Sequence, residues 1–246
     1  MNSYKLIAID LDGTFLNDNK EISRENREAI QMAMHAGKSV VISTGRGMQN
    51  VLPYVQELGI SIPIVAVNGS EVWASPQELL KRQKMSVESL TYLHQLAIQY
   101  DTWWWAYSVE GVFQRDTWVH DLQSVQWLKF GFQTENLLAL AEIKSHLQTV
   151  DAFEITNSHF DNIEVNPRGV TKASGVETIC RMLGIHMSEV IAIGDSENDL
   201  SMIHAAGLGV AMGNAQVVVK AAADVTTVTN NEHGVAKIIH EYLLIR

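Results

Sequence analysis

At 246 residues the chain is long enough for one large core or two unequal domains, and a hydrophobic share of 46% marks it as globular. A formal net charge of −10, from 18 Lys and Arg against 28 Asp and Glu, argues against the clustered basic footprint that grips nucleic acid and means that an anionic ligand needs local cations or a metal. The single cysteine, Cys180, excludes an internal disulfide, no apolar run reaches the roughly 18 residues of a membrane span, and the few apolar residues after Lys5 are too short for a signal peptide, so a cytoplasmic protein is expected.

From the N-terminus, short apolar runs alternate with helix-period segments, the pattern of a parallel sheet with crossover helices. Leu6–Ile9 is a buried strand, and Asp10-Leu11-Asp12-Gly13-Thr14 follows it. Ser23 caps a helix burying Ala29, Ile30, Ala33 and Met34, which Gly37 ends. A second strand at 40–42 stops at Ser43-Thr44-Gly45-Arg46, a helix carries Val51, Leu52, Val55 and Leu58 with Pro53 weakening its first turns, and 62–67 is a third strand. Asn68-Gly69 then reads as a tight turn.

The rhythm changes near residue 78. A helix over 86–99 leads into a strand at 102–107, a turn near Glu110-Gly111 and a return through Val112 and Phe113; a helix over 137–147 precedes strands at 152–155 and 162–165. Asn166-Pro167-Arg168-Gly169 is a linker or turn, after which the first rhythm resumes: helix 171–183, strand 190–193, helix 197–205, strand 208–211 and a last helix to about 243. The fold class is therefore α/β, a doubly wound parallel sheet interrupted by an inserted α+β cap. The expected domains are a core in two parts, 1–78 and 167–246, and a cap at 79–166.

Residues i and i+2 of an extended segment point the same way, so Asp10 and Asp12 converge. Two anions that close are kept by a cation, a shared proton or a reaction, unless the segment is merely a solvated acidic turn. Two other strands of the α/β pattern end in polar constellations, Ser43-Thr44-Gly45-Arg46 and Gly194-Asp195-Ser196-Glu197-Asn198-Asp199. In open parallel sheets ligands bind beyond the carboxyl ends of the strands, so the three loops should share one site.

With these motifs the chain resembles the haloacid dehalogenase superfamily of aspartate-nucleophile hydrolases, specifically its Cof-type phosphatases, over nearly its whole length. Asp10-x-Asp12-Gly13-Thr14, Thr44-Gly45, Lys172 and Gly194-Asp195-x-x-Asn198-Asp199 match its four motifs in order, and the insertion between the second and third matches its α/β cap. The resemblance implies that Asp10 is the nucleophile and Asp12 the general acid and base, its pKa raised by its neighbour. It implies Mg²⁺ on the Asp10 carboxylate, the Asp12 backbone carbonyl and the Asp195 carboxylate, with Asp199 orienting neighbours such as Lys172. Thr44, the backbone amides of Leu11 and Gly45, and Asn198 would donate to phosphate, while Lys172 offsets charge. Ser43 is an alternative to Thr44. One departure is Ala173, where relatives commonly carry Gly after the lysine; Gly175 follows instead.

The implied activity is a phosphatase of small phosphorylated metabolites such as sugar or polyol phosphates, with no nucleic-acid or membrane partner. The alternatives are a phosphomutase of the same superfamily, needing a second phosphate site in the cap, and a phospho-accepting signalling domain, whose motif order differs. In caps of this type one sheet face roofs the site, so Trp103, Trp104 or Trp105 is expected to set specificity, with Arg115, Trp118 and His120 as weaker candidates. Cys180 falls in the apolar pattern of a helix, and Gly207 to Gly213 bracket a strand and form no dinucleotide loop.

Overall fold

The computed structural model describes residues 4–244. In chain order the first part of the large sheet is β1 (Leu6–Ile9), α1 (Arg24–His35), β2 (Ser39–Ser43), α2 (Met48–Leu58), β3 (Ile64–Ala66), β4 (Glu71–Ser75) and β5 (Glu78–Arg82). The insertion contributes α3 (Val87–Gln99), β6 (Trp103–Ser108), β7 (Val112–Gln114), β8 (Trp127–Gln133), α4 (Leu137–Gln148), β9 (Phe153–Thr156) and β10 (Asn162–Pro167). The chain then completes the large sheet with α5 (Lys172–Leu183), β11 (Val190–Gly194), α6 (Leu200–Ala205), β12 (Leu208–Ala211), α7 (Val217–Ala222), β13 (Val225–Thr226) and α8 (Gly234–Ile238), whose last turn widens over Ile239–Leu243.

The large sheet has the order β13-β12-β11-β1-β2-β3-β4-β5, parallel from β13 to β3 and antiparallel beyond. Alternation along β1 explains why its run is wholly apolar. Leu6 and Ala8 pack with Val176, Ile179 and Cys180 of α5, whereas Ile7 and Ile9 pack with Ala29 and Ile30 of α1 and with Val235, so both faces are covered by helices. From β1 the chain moves to β2 on one side and returns through β11 on the other, which leaves a crevice where the loops after β1 and β11 diverge.

The cap is an antiparallel sheet of order β7-β6-β8-β10-β9. One face is apolar: Trp104, Ala106, Phe130, Phe132, Ile163 and Val165 pack against Leu90 and Leu93 of α3 and Ile143 and Leu147 of α4. Among the described residues no helix is long and apolar enough to cross a membrane.

Three expectations change. The seam expected after residue 78 falls inside β5, which stays in the large sheet because Glu71 to Ser75 pair with Glu78 to Arg82. The cap's central strand, β8, is new; its run is broken by Lys129 and Gly131, which are accommodated only by tertiary partners. The third strand is shorter than 62–67 because Val67, Asn68 and Gly69 adopt φ of +52°, +55° and +103°. A β-branched residue at positive φ is an outlier that surrounding contacts must enforce. Asn166 Nδ2 donates to the Val67 carbonyl (2.9 Å), the Val67 amide to the Arg46 carbonyl (2.9 Å) and the Asn68 amide to the Thr44 carbonyl (3.0 Å).

Candidate active site

Asp10 lies at the carboxyl end of β1, and Lys172 is the first residue of α5, set by a capping box between Thr171 and Ser174. The lysine is fully buried, and its Nζ donates to Asp10 Oδ1 and to Asp199 Oδ1, both at 2.6 Å. The other Asp199 oxygen accepts from the backbone amides of Asp195 (2.9 Å) and Ser196 (3.0 Å). Asp199 is thus occupied in positioning its neighbours. Gly175 is where α5 approaches the sheet, since a Cβ there would come within 2.3 Å of Val65. Ala173 is accommodated in a buried setting, its amide donating to Ser201 Oγ at 3.3 Å.

Carboxylate oxygens of Asp10, Asp195 and Asp199 lie within 4.8 Å of one another. Burial raises the pKa of Asp10 well above its ordinary value despite Lys172, with Asp199 and Asp195 adding to the rise. Burial and Asp199 raise Asp195 likewise. Space has been left for this cluster: a Cβ on Gly13 would sit 2.5 Å from Asp195 Oδ2, and one on Gly194 2.3 Å from Asp199 Cγ. Hard oxygens, buried charge in excess of the local cation and two glycines that make room fit a small divalent ion. The Asp12 carboxylate is outside the cluster, so only its backbone carbonyl is available for the expected metal contact.

Asp12 differs from its expected state. Arg46 grips it in a fork, Nε to Oδ2 and Nη2 to Oδ1 at 2.6 Å each, and Lys20 reaches Oδ1 at 3.0 Å. Burial pushes its pKa up, but the bonds from Arg46 and Lys20 outweigh burial and hold it below the usual carboxylate value. The rise expected from Asp10 is therefore overturned by two cations that lie closer in effect. Arg46 stood in the second motif loop without an assigned role, and Lys20 gave no signal in the sequence.

Thr44 lines the cavity and accepts from the Arg46 amide at 3.2 Å, whereas Ser43, its alternative, is buried away from the cavity wall, its hydroxyl without a hydrogen-bond partner among the described residues. Gly45 and Asn198 also line the cavity, and Leu11 is fully buried, so only its backbone is available to a ligand. Cys180 is buried in α5, its thiol pushed up to about 11 by burial, which rules out a nucleophile.

The cavity, about 450 Å³, is roofed by Trp105, Tyr107, Ser158 and Glu164 of the cap. Of the three tryptophans offered by the sequence, Trp105 belongs to this wall. Trp104 does not: it points to the other sheet face and packs in the cap core beside His94 and Trp118. Trp103 is 37% exposed and also outside the wall. Arg115 pairs with Asp101 at 3.0 Å over the Trp104 ring, Trp118 stacks on Trp127, and His120 is exposed.

Behind the roof, cap and core are joined by buried polar contacts that no sequence signal had revealed. Lys129, 1% exposed, donates to the Gly45 carbonyl at 2.8 Å, lies 3.2 Å from Glu164 Oε2 and sits 4.8 Å above the Tyr107 ring. Asn68 Nδ2 donates to the same Glu164 oxygen at 2.7 Å. Burial opposes the charge on both partners, yet Lys129 and Asn68 hold Glu164 below the usual carboxylate value. Burial also depresses Lys129, but its three acceptor contacts are those of an ammonium. Burial, with Glu164 adding to it, pushes the Tyr107 phenol up to about 12, so it is a neutral donor.

A doubly wound sheet with acidic residues at its switch point, closed by an inserted cap, is the architecture of a capped α/β enzyme with an acidic, metal-suited site. The family model for haloacid dehalogenase-like hydrolases matches residues 7–137 and 116–239, and the chain belongs to that family. It is a phosphatase. It is 43% identical over 240 residues to 5-amino-6-(5-phospho-D-ribitylamino)uracil phosphatase YcsE of Bacillus subtilis, covering 98% of this chain and 96% of the relative. It is 34% identical to YitU of the same organism, a phosphatase of the same description, with 96% and 97% covered. A solved haloacid dehalogenase-like hydrolase from B. subtilis superposes with a TM-score of 0.91 at 26% identity, over 98% of this chain and 100% of that one.

Proposed function

We propose that the chain is a magnesium-dependent phosphatase of small cytoplasmic metabolites, of the sugar- or polyol-phosphate kind, working through an aspartyl-phosphate on Asp10. The observation that carries this reading is the buried Lys172 bridge between Asp10 and Asp199, which anchors Asp10 where it lines the cavity together with Asp195. Lys172 fixes one Asp10 oxygen, leaving the other for in-line attack on phosphorus as the ester oxygen departs. Asp12 gives the departing oxygen a proton and then takes one from the water that cleaves the acyl phosphate, restoring Asp10. The phosphate dianion helps Asp12 to hold that proton by competing for Arg46 and Lys20. Thr44, Asn198 and the amides of Leu11 and Gly45 orient the phosphate oxygens. Asp10, Asp195 and the Asp12 carbonyl would hold magnesium, which when bound would supply the charge neutralisation that lets a carboxylate approach a phosphate.

The names of the two relatives make 5-amino-6-(5-phospho-D-ribitylamino)uracil, a ribityl phosphate bearing a flat ring, the first compound to try. Phosphate release from it, from ribitol 5-phosphate and from an aryl phosphate should require Mg²⁺ and cease with a chelator. Asp10→Asn should lower the rate by at least about a thousandfold without unfolding the protein. Substantial turnover by that variant, or turnover indifferent to chelation, would overturn the proposal.

A further inference from the structure

We infer that Glu164 is the group through which the cap reads the leaving part of the substrate: its carboxylate accepts a hydrogen bond from a hydroxyl or amine of a neutral chain and turns away compounds that bring a second anion there. This rests on the polyol-phosphate reading above and adds to it a specificity-determining residue.

The four cap residues on the cavity wall offer an indole face, a phenol, a hydroxyl and one carboxylate; none is a cation. The core cations on the wall are already committed, since Arg46 and Lys20 both bond Asp12. Lys172 is engaged by Asp10 and Asp199. An anionic leaving group would therefore find no free cation among the described residues of the wall. Glu164, by contrast, has acceptor capacity left. Its Oε2 takes Asn68 and Lys129, whereas among the described residues Oε1 takes only the Ser158 hydroxyl at 3.2 Å, and a carboxylate offers about four acceptor positions.

Orientation of the ion pair points the same way. Glu164 is on the cavity wall and Lys129 is behind it, held by the Gly45 carbonyl and the Tyr107 ring. The negative end of the pair thus faces the ligand space. Beside it, Trp105, Gly131 and Glu164 stand in register across β6, β8 and β10. Gly131 lets the indole lie against the sheet, so a flat apolar wall adjoins an anionic acceptor. That combination suits a carbon chain or ring with hydroxyl or amine edges.

A matched pair of substrates reads this directly: ribitol 5-phosphate and 5-phosphoribonate, which differ in a terminal hydroxymethyl or carboxylate. The intact protein should favour ribitol 5-phosphate in kcat/KM by about ten- to a hundredfold, the scale of one hydrogen bond to a buried charge. In Glu164→Gln this ratio should contract toward parity. Because that variant leaves the Lys129 ammonium without its carboxylate, the Lys129→Met/Glu164→Gln double variant is measured beside it and should show the same contraction. An unchanged ratio in either folded variant would reduce Glu164 to a counter-ion and overturn the inference alone. If the intact protein turned over neither compound but still hydrolysed an aryl phosphate, the polyol-phosphate reading itself would fall.

Discussion

Replacing Lys172 by Met would leave Asp10 and Asp199 with no cation between them in a pocket where the lysine side chain is wholly inaccessible. Breaking a buried pair by removing one partner costs about 3–5 kcal/mol, because the remaining charge is uncompensated. Lys172→Met should therefore lower the unfolding free energy by about that amount at neutral pH, measured by denaturant titration. Lys172 was legible because it begins a helix at a fixed place in a recognisable order of motifs. Arg46 and Lys20 were not, since nothing local says that an arginine two residues after Thr44 will fold back on Asp12. The protonation of Asp12 consequently could not be judged from its neighbour in sequence alone.

At the scale of elements, β6 and β8 depend on one another through Gly131. A Cβ at that position would lie 2.3 Å from the Trp105 ring, so Gly131→Ala should swing the indole off the sheet and into the cavity. Steady-state kinetics should show KM raised severalfold with kcat largely kept, and the same change made in a Trp105→Phe background should have little effect, the signature of two coupled residues. This register also explains what the sequence concealed. The strands β1, β2 and β11 announce themselves because helices cover both of their faces and every position is apolar. In β8 alternate positions serve different masters, with Phe130 and Phe132 in the cap core and Lys129 and Gly131 on the side of the site. A buried lysine and a glycine read locally as interruptions, and only their partners in β6, β10 and the loop after β2 make them parts of a strand. The same reasoning separates Trp105 from Trp104: adjacent in sequence, they fall on opposite sheet faces, and aromatic character alone did not tell which face was roof and which was core.

Across the whole molecule, cap and core meet at Lys129, Glu164 and Asn68, and the charge of Glu164 is part of that contact. Its carboxyl is held below the ordinary value of 4.5, so its contribution is complete above that pH and disappears as the pH falls through the lower native value. Hydrogen exchange at the amides of β8 and β10 should accelerate in that acid range, and Glu164→Gln should lack the corresponding step; a step of equal size in the variant would assign the loosening to other carboxyls. The peptide unit joining Gly45 to Arg46 carries a further meaning. Its carbonyl is bonded by Lys129 of the insertion and its amide by Thr44 of the core, while the Arg46 side chain that follows holds Asp12. One peptide plane therefore belongs to both halves of the protein at once. This cap is therefore not a freely exchangeable module: a graft from a relative would have to deliver a donor to that same carbonyl, or the loop that carries Thr44 and Arg46 would lose a constraint it takes from a different domain.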